Sequence, residues 1–407
     1  MSSTPLPRGF ARLAWSNLAA QAAEQIGLAA APLVAVLALG AGAGATGLLQ
    51  AAQTLPFLLL SIPAGVLADR VSRRRLMAGA EAVRAASLLV VLALAVSGLL
   101  TLPLLALLGF LGAAGTVAYN VGAPALVPAL VPRAALSAAN GRLELARSTA
   151  FAAGPALGGV LVGWVGAAPA FGVAASLSLA AVILLSGLAE PPRPSLPPRR
   201  VFEDLREGAG FVLTHPLLRP VLVTAVFFNV GFFVLQAVYV PYAVHHLGLT
   251  ASAIGATLAT YGIGMVSAAL AAPRIARALP FGAMIAVGPI AGLAASLVMV
   301  ATIWVPSVWL AALSFFLIGA GPILWTIGST TLRQSVTPER MLGRVSAMIA
   351  MASFGARPIG AALGALVGAS SGAASCVLLA ALGFLVQAVV ILVSPVPRLA
   401  RQPEMAG

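Results

Sequence analysis

The chain has no lysine: all 23 of its basic residues are arginine. Its one cysteine, Cys376, permits no internal disulfide. Three histidines and ten acids are spread over 407 residues. Nowhere do they take the spacing of a metal site, and serine, histidine and acid residues form no catalytic arrangement. A glycine-rich phosphate loop is also missing, which argues against ATP-driven chemistry. Charged residues make up 8% of the chain, against roughly a quarter in a soluble domain. These absences exclude an ordinary soluble domain, and the expectation is a protein that is not an enzyme and has neither cofactor nor metal.

What fills the chain instead is apolar. Hydrophobic residues reach 60% and the mean hydropathy is +1.04. The apolar residues fall into successive runs of about 20, the length a spanning helix needs. Only a helical bundle satisfies the backbone of so many Gly, Ala and Leu in lipid. The first six segments are Leu13–Leu39, Gly47–Ala68, Leu76–Gly98, Leu102–Ala123, Asn140–Val165 and Ala168–Ala189. The second six are Leu217–Ala243, Ser252–Ala272, Gly282–Ile303, Val308–Leu332, Val345–Gly368 and Ala373–Val393. The expected fold class is an all-α membrane protein with twelve transmembrane helices.

The net charge of +13 suggests nucleic acid until the arginines are placed. Arg8 and Arg12 precede the first segment, most others follow segments 2, 4, 6, 8 and 10, and Arg398 and Arg401 end the chain. The six opposite loops hold none. This is the positive-inside asymmetry, with both termini cytoplasmic, so the charge reports orientation and no nucleic-acid partner. The first segment is too long for a cleavable signal and starts behind arginines. Arginine without lysine, with very high alanine, suggests a GC-rich bacterial source and so the bacterial inner membrane.

The composition changes once, at the midpoint. Pro191, Pro192, Pro194, Pro197 and Pro198 make a stiff stretch, and Val201–Leu213 then reads as an amphipathic surface helix. This divides the chain into a six-helix bundle at 1–189, a linker at 190–216 and a second bundle at 217–407. An internal repeat supports the division. Gly141-Arg142 followed by Gly154-Pro155-Ala156-Leu157-Gly158 recurs as Gly343-Arg344 followed by Arg357-Pro358-Ile359-Gly360, about half the chain away.

The stretch Gly65-Val66-Leu67-Ala68-Asp69-Arg70-Val71-Ser72-Arg73-Arg74-Arg75 joins the second and third segments. It resembles the Gly-x-x-x-Asp-Arg-x-Gly-Arg-Arg loop of the major facilitator superfamily of secondary transporters. The match is at Gly65, Asp69, Arg70, Arg73 and Arg74, with Ser72 where the family usually has Gly. Within that superfamily the chain resembles the enterobactin-exporter and macrolide-efflux-like group. The likeness is carried by Asn140 with Gly154–Gly159, Asp204-Leu205-Arg206-Glu207-Gly208, His215–Arg219, and Leu332-Arg333-Gln334 leading to Pro338 and Gly343-Arg344. The helix-4 arginine of the drug antiporters is absent from Leu107 to Gly115. The resemblance implies two pseudo-symmetric six-helix bundles handling substrate between them at the midplane. It also implies that Gly65, Asp69, Arg70, Arg73 and Arg74 form a conformational latch. Asp69 would favour the N-terminus of helix 11; the plain alternative is a set of solvated charges.

Glu24 lies at the middle of the first segment, where an acid costs roughly 2.5–3.5 kcal/mol and is a functional hypothesis by default. It is the candidate proton-coupling residue, set against a carboxyl held for packing only. Asn17, Gln21 and Glu24 share one helical face. Arg357 is the other deep charge, either attracting an anionic substrate group or bonding carbonyls freed by Pro358. Helices 1, 4, 7 and 10 line the cavity in this superfamily. The remaining cavity candidates are therefore Tyr119, Asn120, Asn229, Gln236, Tyr239, Trp325 and Ser329, each also readable as packing. The reading is a transporter working by alternating access, exporting an amphipathic small molecule in exchange for protons and working as a monomer in the lipid bilayer. Alternatives are uptake or facilitated diffusion of a metabolite, lipid translocation, and a non-transporting membrane sensor.

Overall fold

Backbone amides in hydrocarbon must bond within their own segment, and every long apolar run of this chain does so as a helix. The computed structural model describes residues 8–132, 135–190, 201–338 and 341–403. The helices are α1 (Arg8–Leu37), α2 (Ala43–Arg70), α3 (Arg73–Val96), α4 (Leu102–Leu130), α5 (Leu136–Val165), α6 (Ala167–Ser186), α7 (Val201–Thr214), α8 (Leu218–His245), α9 (Ala251–Ala278), α10 (Phe281–Ala301), α11 (Val308–Val336) and α12 (Leu342–Val393). No strand occurs among the described residues. Eleven of these helices are long and apolar enough to cross a membrane.

At 1.5 Å per residue the 52 residues of α12 would extend about 78 Å, far beyond a hydrocarbon layer of about 30 Å. Gly372 resolves this. Its φ of 80° and ψ of 172° are not helical and break α12 into two spans, a conformation open to glycine because it has no Cβ. Eleven long helices thus supply the twelve expected spans. Several run past the apolar stretch that announces them, α2 to Arg70 and α11 to Val336. Hydrogen bonding continues where hydrophobicity stops.

The helices gather into two compact units. One holds the chain up to Ala41, from Ala52 through α6, and Thr250–Ala259; the other holds Gly42–Ala51, the chain from α7 to Leu249, and everything from Thr260. In the first unit α1 packs on α5 and α6, and α3 packs on α4 and α6. In the second, α8 packs on α12, and α10 packs on α11 and α12. The same pairing rule recurs one repeat later.

The small residues at the repeated motif explain how close these pairs come. A Cβ on Gly154 would sit 2.4 Å from the Gln25 Cβ of α1, and one on Gly360 would sit 2.4 Å from the Val230 carbonyl of α8. The exchanged ends follow the same logic. Gly47 of α2 faces the Ala365 backbone of α12, and Gly159 of α5 faces Gly255 of α9.

The proline stretch 191–198 lies outside the described residues, but the amphipathic helix that follows it is present as α7. Asp204 and Glu207 of α7 both reach Arg344 near the start of α12, the first at 2.6 Å. Exposed pairs of this kind contribute little individually. Beyond α7, His215 accepts from the Leu217 and Leu218 amides through Nδ1, at 3.2 and 3.4 Å. Burial lowers its pKa below the usual 6.5, since the neutral ring is the one that fits. Its contribution is therefore present above about pH 6.5 and is lost as pH falls through the lowered value. A nitrogen-15 titration of His215 is expected to give a midpoint below that of the unfolded chain; a higher midpoint would contradict this geometry.

Candidate functional site

The first unit holds a partly open cavity of about 70 Å³. Its polar lining is Glu24 of α1, Gln53 of α2, Arg84 and Ser87 of α3, and Thr116 of α4; the rest is apolar, mostly alanine, glycine and leucine. Glu24 is 16 residues from the first residue of the 30-residue α1, so about 24 Å along it. It is half-buried and holds an interaction of its own.

Beside it α3 carries a buried charge pair. Arg84 Nη1 lies 2.7 Å from Glu81 Oε1. The same nitrogen donates to the Ala20 carbonyl of α1 at 3.1 Å, and Nη2 donates to the Thr116 hydroxyl. Sequence alone allows the Glu81–Arg84 pairing by its three-residue spacing but gives no sign that it is buried, because burial depends on α4 and α6 closing over α3. The comparable pair Glu144–Arg147 on α5 stays in the open.

The other candidates of this unit are bonded nearby. Asn17 donates to the Leu143 carbonyl of α5 at 3.2 Å, and Gln21 donates to Asn120 at 3.4 Å. Asn120 is exposed, whereas Tyr119 is 2% exposed and shares its hydroxyl with Ser16 at 3.2 Å. Tyr119 therefore stands in the apolar core of the unit, with Phe10, Leu13 and Met77.

In the second unit Arg357 is held over aromatic faces, 4.5 Å from the Phe354 ring and 5.4 Å from the Phe233 ring of α8. Such stacking stabilises a guanidinium while leaving its edge for hydrogen bonds. The sequence reading did not name these phenylalanines; the signal was Phe354 three residues before Arg357. Tyr239 is fully buried and packs edge-on against Phe315, at 4.5 Å between centroids. Asn229 turns back on its own helix to the Ala225 carbonyl at 2.9 Å. Gln236, Trp325 and Ser329 are half-buried.

The arginine-rich turn between α2 and α3 has an acid that sequence reasoning missed. Glu190 accepts from the Ser72 hydroxyl at 2.5 Å and from the Arg73 and Arg74 amides at 3.2 and 3.1 Å. Ser72 is itself the N-cap of α3, accepting from the Arg75 amide at 3.2 Å. Serine in the place of the usual glycine thus supplies a cap that glycine lacks. Arg74 also reaches the Ser186 carbonyl, while Arg70 is exposed at the end of α2. Nothing lies within 4 Å of a Cβ built on Gly65. The side chain of Asp69 lies outside the described residues. Ser72→Ala is expected to cost about 1 kcal/mol and to lower the thermal midpoint of the purified protein; an unchanged midpoint would remove this cap from the account.

A family model described as a transmembrane secretion effector of the major facilitator type matches residues 3–406. The enterobactin exporter EntS of Salmonella typhi is 28% identical over 305 residues, covering 74% of this chain and 71% of that protein. A bacterial homologue of the iron transporter ferroportin, in an inward-facing state, superposes with a TM-score of 0.76 at 15% identity, covering 96% of this chain and 99% of the other. The POT family transporter PepTSo reaches 0.79 at 12% identity, covering 96% of this chain and 98% of the other. These two likenesses concern the fold.

Proposed function

The chain belongs to the transmembrane secretion effectors of the major facilitator superfamily, and from that premise we propose that it exports a siderophore-like amphipathic molecule across the bacterial inner membrane in exchange for protons. It is a multi-pass membrane protein and a secondary transporter. The observation that carries the substrate class is the 28% identity to an enterobactin exporter over 305 residues. Proton exchange is supported by Glu24, an acid at mid-helix depth lining an otherwise largely apolar cavity.

In this reading the two repeat halves, 1–189 and 217–407, joined by the 190–216 linker, alternate between two access states that share one site, and the molecule works as a monomer. Asn17, Gln21, Asn120, Asn229, Gln236, Trp325, Ser329 and Arg357 contact substrate, with Tyr119 and Tyr239 supporting them from the core. Gly65, Asp69, Arg70, Arg73 and Arg74 form the latch at the cytoplasmic end. Both termini are cytoplasmic, which reporter fusions after Leu100 and Pro306 test by reading outside.

The deciding experiment uses proteoliposomes with an acidic lumen and enterobactin as the probe. Accumulation above that of protein-free vesicles is expected, and collapsing the pH gradient should abolish it. Accumulation only in vesicles with an alkaline lumen would replace export by uptake.

A further inference from the structure

Two features of the buried pair on α3 are left unexplained by packing. Taking both charges out of water is costly unless the remaining polar atoms find partners. Arg84 finds them on α1 and α4. Glu81 does not: it is fully buried, its Oε2 has no hydrogen-bond partner, and neither does the equally buried Ser178 hydroxyl. These two lie beside each other, the hydroxyl brought by α6, yet outside hydrogen-bond geometry. The Ser178 hydroxyl can donate to an ionised Glu81 or accept from a protonated one, so this site takes Glu81 in either state.

The second feature is the position of Arg84. Arg84 lines the same cavity as Glu24. The carbonyl it grips, Ala20, is one helical turn before Glu24. Side chains on a helix lean toward the turn N-terminal to their own Cα, so Glu24 leans over the turn that Arg84 touches.

We propose that Arg84 is shared between Glu81 and Glu24, making Glu81 a second proton-binding group coupled to the first. With the proton on Glu24, Arg84 stays with Glu81. When the proton passes to Glu81 Oε2, facing Ser178, Glu24 becomes the carboxylate and draws the guanidinium across the cavity. One proton changes carboxyl and the charge of the trio is unchanged. Among the described residues, the other polar groups around it are Ser16 of α1, Gln53 of α2, Ser87 of α3, and Thr116 and Tyr119 of α4. This inference rests on Glu24 being a proton carrier, and the test separates the two.

The test is an infrared pH titration of protonated carboxyl bands in the full chain in nanodiscs, without substrate. The wild type should show two titrating buried carboxyls, one lost in Glu24→Gln and the other in Glu81→Gln. In Glu81→Gln the guanidinium serves Glu24 alone, and the Glu24 midpoint should move to lower pH by about one unit or more. In Glu81→Gln/Arg84→Gln the cation is gone, and the midpoint should move to higher pH by a similar amount. The double variant leaves no lone charge beside α3, so its shift decides the matter even where the single variant does not fold. A Glu24 midpoint that is the same in the wild type and the double variant would reduce Glu81–Arg84 to a structural pair and leave Glu24 as proton carrier. If Glu24→Gln removes no titrating band, the carrier role and the sharing of Arg84 both fall.

Discussion

Glu24→Gln is expected to abolish pH-gradient-driven export while leaving substrate binding and downhill exchange in place. A carboxyl at bilayer depth must be either paired or protonated. An alternating-access cycle changes the water around it and so the balance between those states. Glutamine keeps the shape and much of the hydrogen bonding but cannot carry a proton. The measurement is accumulation in acid-lumen vesicles beside counterflow without a gradient. A loss of the first to the protein-free level, with the second within about twofold of wild type, is the signature of a coupling residue. Retained accumulation in Glu24→Gln would make the carboxyl structural. If Arg357→Ala then lost the binding of acidic compounds, the recognition of charge would shift to the guanidinium over Phe354 and Phe233.

Gly360→Leu is expected to disable the second unit altogether. The Cβ site at Gly360 is 2.4 Å from the Val230 carbonyl and 3.0 Å from the Val230 Cα, and a backbone cannot step aside as a flexible side chain can. Forcing α8 and α12 apart loses packing along the whole contact, so the cost should exceed the roughly 1–3 kcal/mol of ordinary overpacking. A large fall in thermal midpoint and in yield of monodisperse protein is expected. Gly65→Ala, where nothing lies within 4 Å of the added methyl, is the control expected to leave stability near wild type. Equal behaviour of the two variants would contradict the described helix contact.

Much of this was legible in the sequence because the bilayer restricts the solutions so strongly. Apolar runs gave the number of spans, and the break expected between Gly368 and Ala373 falls at Gly372. The Gly-Arg phrase and the proline after it recur about half the chain away, and the helix pairing bears the same repeat. Glu24 stood out from sequence alone because an acid amid leucine and alanine needs a reason wherever the helix packs.

Tertiary structure decided what depends on neighbours far away in the chain. Three-residue spacing lets Glu81 pair with Arg84 as it lets Glu144 pair with Arg147; only the packing of α4 and α6 against α3 buries the first pair. Glu190 caps α3 from more than a hundred residues away, a partnership without local signature. Tyr119 reads as a cavity tyrosine until the core of Phe10, Leu13 and Met77 surrounds it. Hydropathy and local spacing report what a segment needs from its surroundings. Which partner answers that need is settled by packing, because contacts across the bundle carry no periodicity in either strand of sequence that makes them.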